Sequence, residues 1–325
     1  MDEGTLFRKL RKDRGLSLEQ VSDELNSVSF ISKFEKGNSN ISLHRMERLL
    51  NNINVSVEEF FYLRELEKNT TLNEDIKILR GYLTSEFYYY VARLLSVNDQ
   101  AVKKSFEIGI IEMKKIKDEM DAKKSWQKFI AIYCDICIYT YKNNLDEIKD
   151  KNPKKIMEEI NIISKPVITY LYKVEDWSVF ELVLFKLFLF TFKAEQIHQL
   201  LPLAIARTEK ESQFHVMMKF KSEIIFSGFS YFVNYRLQEW AKESLDLARK
   251  MLKNQMDLTS STCLLFYEGW YQLIFEDFEK GIESCHQAIS IFRILEQPKM
   301  EGSFKLILRN ILKNKEQPDE YFMFV

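Results

Sequence analysis

The chain has 325 residues, with 47 Lys and Arg against 48 Asp and Glu, 46% hydrophobic residues, nine Gly and five Pro. That length accommodates two or three domains and a large core, and the scarcity of Gly and Pro favours helix almost throughout, an all-α protein. A net charge of −1 restricts any binding of nucleic acid to local clusters of positive charge.

The first such cluster is residues 8–14, RKLRKDR, at the end of a predicted first helix. Ser17 and Gln20 have the spacing of a capping box, predicting a short second helix that carries Val21 and Leu25 before a turn at Asn26. Residues 27–37, SVSFISKFEKG, set polar Ser27, Ser29, Ser32 and Lys33 beside apolar Phe30, Ile31 and Phe34, and close on Gly37. A recognition helix needs such an arrangement, with base-reading side chains in front and a small core behind. Leu43, Met46, Leu49, Leu50 and Ile53 recur at helical spacing, and Ser56 caps a last short helix through Phe60. Five short helices in 1–66 make a helix-turn-helix domain. In it Ser27, Ser29 and Lys33 are expected to face the major groove of double-stranded operator DNA. Arg8, Arg11, Lys12 and Arg14 are expected to neutralise phosphates.

Residues 6–61 resemble the phage-repressor-like (XRE) helix-turn-helix class. The Ser-x-Phe-Glu-x-Gly core at 32–37 and the following Ile41-Ser42 resemble, more narrowly, the Rgg/GadR/MutR transcriptional regulators of Gram-positive bacteria. The resemblance implies a DNA-binding homodimer with a long helical C-terminal part that senses a short peptide pheromone in quorum sensing. Some relatives carry a cysteine near Leu43 that could bridge subunits; this chain has none there, and no such bridge is expected.

Residues 67–75 read as a polar linker, and 76–325 as a domain of paired helices. Predicted helices fall near 72–96, 100–118, 122–142, 154–165, 177–193, 195–209, 211–234, 237–254, 259–276, 279–295 and 299–313, with breaks at Asn143-Asn144, Asn152-Pro153, Pro166 and Pro298. Laying 219–252 over 259–292 pairs Phe226 with Phe266, Tyr231 with Tyr271, Ala241 with Gly281, Leu245 with Cys285 and Ala248 with Ala288, always 40 apart. A weaker third copy pairs Ile205 with Leu245. This is the logic of tetratricopeptide-like arrays, and it predicts a right-handed superhelix with a concave wall suited to an extended hydrophobic peptide. Candidate contacts on that wall are Lys186, Lys219, Ser222, Glu223, Tyr267 and Tyr271, with Ser230 on the same polar stripe. The segment from Trp177 through Glu181-Leu182 to Phe185 also resembles the family. Relatives often place an asparagine shortly after that Phe, where this chain has Lys186 and Leu187.

Cys134 and Cys137 form a lone CxxC inside an apolar helix, and with Cys263 and Cys285 they read as buried hydrophobes rather than metal ligands or a disulfide framework. His44, His198, His215 and His286 are scattered, and neither a P-loop nor GxGxxG occurs; neither an enzyme nor a cofactor is expected. The N-terminus lacks an apolar signal core, and residues 180–192 are interrupted by Lys186 and fall short of the ~20 residues that span a bilayer, so a cytoplasmic location without membrane contact is expected. A homodimer is expected through the C-terminal helices from Cys285 onward, with Phe322 and Phe324 as anchors. A ligand-independent regulator of bacteriocin or stress genes, and a helical-repeat scaffold for a protein partner, are the alternative readings.

Overall fold

Short polar caps and apolar rows divide the chain into helices. The computed structural model describes residues 2–66, 81–121, 123–145, 153–208, 215–253 and 256–316. Among these residues every regular element is a helix. The chain divides by its contacts into two compact units, Met1–Lys104 and Ser105–Val325.

The first unit contains α1 (Glu3–Asp13), α2 (Val28–Glu35), α3 (Leu43–Asn52), α4 (Val57–Leu66) and α5 (Ser85–Lys103). Leu6, Phe7, Leu10, Val21, Ile31, Phe34, Met46, Leu49, Leu50 and Phe60 form one buried cluster. The predicted second helix is only a turn over 18–21. Its capping box does form: Ser17 N–H donates to Gln20 Oε1 at 2.8 Å, and Gln20 N–H to Ser17 Oγ at 3.2 Å. Beyond it, Ser22 Oγ donates to the Glu19 carbonyl, and Asp23 Oδ1 accepts from the N–H groups of Leu25 and Asn26. These side chains occupy backbone groups that a continuing helix would need. The next helix, α5, runs past its expected end to Lys103, because the following cap is Ser105, whose hydroxyl accepts from Ile108 N–H. By its contacts α5 belongs to this first unit.

The second unit contains α6 (Phe106–Asp118), α7 (Ser125–Asn144), α8 (Pro153–Lys173), α9 (Val179–Phe188), α10 (Ala194–Arg207), α11 (His215–Asn234), α12 (Gln238–Leu252), α13 (Leu258–Phe275), α14 (Phe278–Ile294) and α15 (Pro298–Glu316). A 3-10 turn, Leu189–Thr191, follows α9. Helix α8 passes through the predicted break at Pro166. Pro166 lies on an exposed face, and so does Ile162, whose carbonyl loses its partner there and can turn to water. From α10 onward each helix packs on the next, and α9, α11, α13 and α15 also touch in succession, as do α10 and α12. Such nearest-neighbour stacking is how a helical-repeat array builds its core.

The 40-residue periodicity is visible in the burial. Phe226 and Phe266, Tyr231 and Tyr271, Leu245 and Cys285, and Ala248 and Ala288 are all buried. Ala241 and Gly281 occupy equivalent buried positions too. The α13–α14 crossing has no room for a side chain at this position: a Cβ on Gly281 would lie 2.4 Å from the Leu273 nitrogen and 2.7 Å from the Gly269 oxygen.

Candidate DNA-reading and ligand-binding faces

The DNA-reading candidate is the front of α2. Ser27 is its N-cap, accepting from Phe30 N–H at 3.3 Å. At the other end Gly37 has φ +74°, and Gly37 N–H and Asn38 N–H bond the carbonyls of Phe34 and Lys33 at 2.9 Å each. Behind the helix, Ile31 and Phe34 enter the core, and the Phe34 ring lies 6.1 Å from that of Phe7. In front, Ser27, Ser29 and Lys33 are all exposed, as their assignment requires. Two neighbours escaped the sequence reading. Val28 is exposed at the helix tip, and the Arg45 guanidinium covers the Phe30 ring at 4.7 Å.

The four cations assigned to phosphate separate. Arg8, Lys12 and Arg14 are exposed, and Arg14 also donates to the Leu10 carbonyl at 3.1 Å. Arg11 is a correction: it is buried, and so is Glu35. Its Nε and Nη2 donate to the two oxygens of Glu35 at 2.6 and 2.8 Å, and Nη1 donates to the Leu16 carbonyl at 2.5 Å. Glu35 holds the guanidinium in its charged form, raising its pKa further. This fork ties α1 to α2, and at 6% exposure Arg11 is withdrawn from the surface that a phosphate would approach. A signal did exist in the sequence, since Arg11 follows Phe7 by four residues and Glu35 follows Ile31 by four. Each therefore lies on the inward stripe of its helix.

The ligand candidate lies on α9, α11 and α13. Ser178 and Glu181 form a capping box at the start of α9, and the buried Glu181 also accepts from Tyr170 Oη at 2.6 Å. Trp177, expected as a family feature, packs edge-on against Phe185 with ring centres 5.8 Å apart. Lys186 and Glu223 form an ion pair from α9 to α11, both half-buried, and the Lys186 ammonium lies 4.9 Å from the Phe220 ring centre. One turn before Glu223, Lys219 is exposed without an ion-pair partner among the described residues. The floor is aromatic: Tyr267 stacks on Phe226 at 4.4 Å and meets Phe229 and Trp270. Burial pushes the Cys263 thiol up to about 12, helped by Glu223 and Asp257 and opposed by Lys219. Burial likewise raises the Tyr267 phenol, with Cys263 and Glu223 adding to it.

The structure therefore pairs Lys186 with Glu223, sets Lys219 one turn before Glu223 on α11, and stacks Tyr267 of α13 on Phe226 of α11. It does not bring the other two to this face. Ser222 is buried and donates to the Met218 carbonyl at 3.0 Å, and Tyr271 is buried with its hydroxyl accepting from Gln238. Ser230 is also buried, bonded to the Phe226 carbonyl. These three belong to the packing.

Cys134, Cys137, Cys263 and Cys285 are free and buried. Among the described residues no group of His, Cys, Asp and Glu could hold a metal ion, and no helix is long and apolar enough to cross a membrane.

Comparison with known proteins adds the following. Residues 113–306 match the family described as HTH-type transcriptional regulator Rgg, C-terminal domain, and residues 7–60 match a helix-turn-helix family. No curated protein sequence matches. Among solved structures, a candidate transcriptional regulator from Listeria monocytogenes superposes with TM-score 0.74 at 18% identity, over 97% of this chain and 98% of its own. The SHP pheromone receptor Rgg2 of Streptococcus dysgalactiae gives 0.65 at 17%, over 95% and 99%. PrgX gives 0.64 at 11%, over 96% and 94%. At these identities the likeness is one of fold.

Proposed function

Given that the chain belongs to the Rgg family of HTH-type transcriptional regulators, we propose that a short hydrophobic signalling peptide controls it from the face formed by α9, α11 and α13. The observation that carries this reading is the half-exposed Lys186–Glu223 pair between α9 and α11, with Lys219 one turn away and without an ion-pair partner among the described residues, and the stacked rings of Phe226 and Tyr267 between α11 and α13. An aromatic floor takes apolar side chains, and a cation at its edge takes a carboxylate. A fold shared with a pheromone receptor supports the same reading. Lys186 is already neutralised by Glu223, so among the described residues of this face Lys219 is the cation available to the peptide.

In this reading residues 1–66 bind promoter DNA, 67–75 link, and 76–325 sense the peptide and dimerise, although α5 groups with the first compact unit. The DNA contacts are Ser27, Ser29 and Lys33 to bases, and Arg8, Lys12 and Arg14 to phosphates. Helix-turn-helix units usually act in symmetric pairs. Ile294 at the end of α14, Leu295 just past it and Leu306 on α15 are apolar side chains at 78%, 43% and 53% exposure, and they are the surface proposed to meet a second copy. Cys285 is buried and takes no part, and Phe322 and Phe324 lie outside the described residues. Light scattering at micromolar concentration should give a dimer.

The test is a gel shift on DNA upstream of the gene, with and without hydrophobic peptides encoded by neighbouring short reading frames. One peptide should change the shift, and Lys219→Ala should weaken its binding about tenfold or more. Specific DNA binding that no such peptide alters favours the ligand-independent regulator. Loss of both activities favours the scaffold.

A further inference from the structure

Resting on the reading of α2 as the helix in the major groove, we propose that Val28 reads the C5 methyl of a thymine and fixes an A·T pair in each half-site. Recognition helices contact base edges with their N-terminal residues, and Val28 is the first residue of α2. At 37% exposure it lies outside the core cluster that takes Ile31 and Phe34. The other apolar residue near the tip, Phe30, is half-buried beneath Arg45. Val28 is therefore the one exposed apolar side chain on α2, placed between two exposed serines.

The chemistry of the groove selects its partner. Guanine shows two acceptors there and cytosine a donor, and a valine pressed against either would desolvate it without replacing its hydrogen bonds. Thymine alone presents a methyl group. A β-branched side chain in a helix is held close to one χ1 rotamer, so the two Val28 methyls are already ordered before binding. Ser27 keeps its hydroxyl proton free to donate while its oxygen caps the helix. Serine hydroxyls discriminate weakly between bases, so the apolar contact supplies selectivity that Ser27 and Ser29 lack.

The experiment uses the full chain and a duplex selected by it from a random pool. Each thymine is then replaced singly by deoxyuridine, which removes the methyl and leaves the base-pair hydrogen bonds intact. Wild type should lose about fourfold in affinity at one thymine per half-site, the worth of about one buried methyl. Val28→Ala should bind the natural duplex about that much more weakly and show no further loss with deoxyuridine. Val28→Ile should restore the sensitivity. A selected duplex with no uridine-sensitive thymine, or Val28→Ala with undiminished sensitivity, overturns the proposal and leaves α2 as the reading helix. A pool that yields no preferred duplex overturns that underlying reading as well.

Discussion

Arg11 separates a structural role from a DNA-contacting one. Replacing it with Met keeps most of the apolar stem and removes two bonds to Glu35 and one to the Leu16 carbonyl. It strands a carboxylate that is 5% exposed, with Arg8 the nearest other cation at 3.9 Å. Breaking a buried ion pair from one side costs about 3–5 kcal/mol, and partial compensation by Arg8 points to the lower end. Set against about 5–15 kcal/mol for a whole domain, that loss should open the α1–α2 contact measurably. The four tryptophans, Trp126, Trp177, Trp240 and Trp270, all lie in the second unit, so intrinsic fluorescence would miss the change. Hydrogen exchange of peptides covering α1 and α2 would detect it. Arg11→Met should exchange faster there, and the double variant Arg11→Met, Glu35→Leu should recover much of the protection. In the folded fraction, Lys12→Ala should lower the salt slope of DNA binding by about one unit, and Arg11→Met should not. An Arg11→Met protein with wild-type protection and a slope reduced by one would refute the structural assignment.

Gly281→Ala should destabilise the second unit by about 1–3 kcal/mol in a urea melt followed by tryptophan fluorescence, because its methyl would meet the backbone of Leu273 and Gly269. Burial pushes the Asp23 carboxyl up, but the bonds from Arg48, Asn26 and Leu25 outweigh it and hold it at about 2, below its ordinary 3.8. A depressed pKa stabilises the fold above the ordinary value, and the gain disappears as pH falls from about 4 through 2. Asp23→Asn should cost up to about 2 kcal/mol at pH 7 and little at pH 2, as read by hydrogen exchange of α3. Glu223→Gln frees Lys186, so a peptide with a C-terminal carboxylate should bind this variant more tightly than wild type, and its amidated form should gain nothing, in fluorescence anisotropy titrations.

Features set within a few residues were legible in the sequence. Ser27 and Gly37 bound α2 as expected, Ser178 and Glu181 open α9, and the 40-residue offset located buried partners such as Ala248 and Ala288. What escaped depends on the face of a helix or on a distant partner. The cluster RKLRKDR shows charge but not direction, so buried Arg11 looked like its exposed neighbours. Ser222 and Glu223 are adjacent in sequence, yet about 100° apart around α11, and only one reaches Lys186. The turn at 18–21 escaped because Ser22 and Asp23 bond their own backbone, competing with a capping box that does form. Pro166 looked like a break because its exposure on α8 could not be read.

The helix ends of the second unit are fastened by side chains as well as by the chain. Arg207, at the end of α10, donates to the carbonyls of Leu171 and Tyr172 at the end of α8. Buried Lys221, on α11, reaches back to the Thr208 carbonyl at 2.8 Å, just past α10. The ends joined by residues 209–214 are thus clamped without help from the peptide bonds between them. The protein could then be made as two fragments, divided between Thr208 and His215, that reassemble on mixing. Each half could carry its own isotope label, so that spectra of α9 and α11 are recorded separately within one assembled protein.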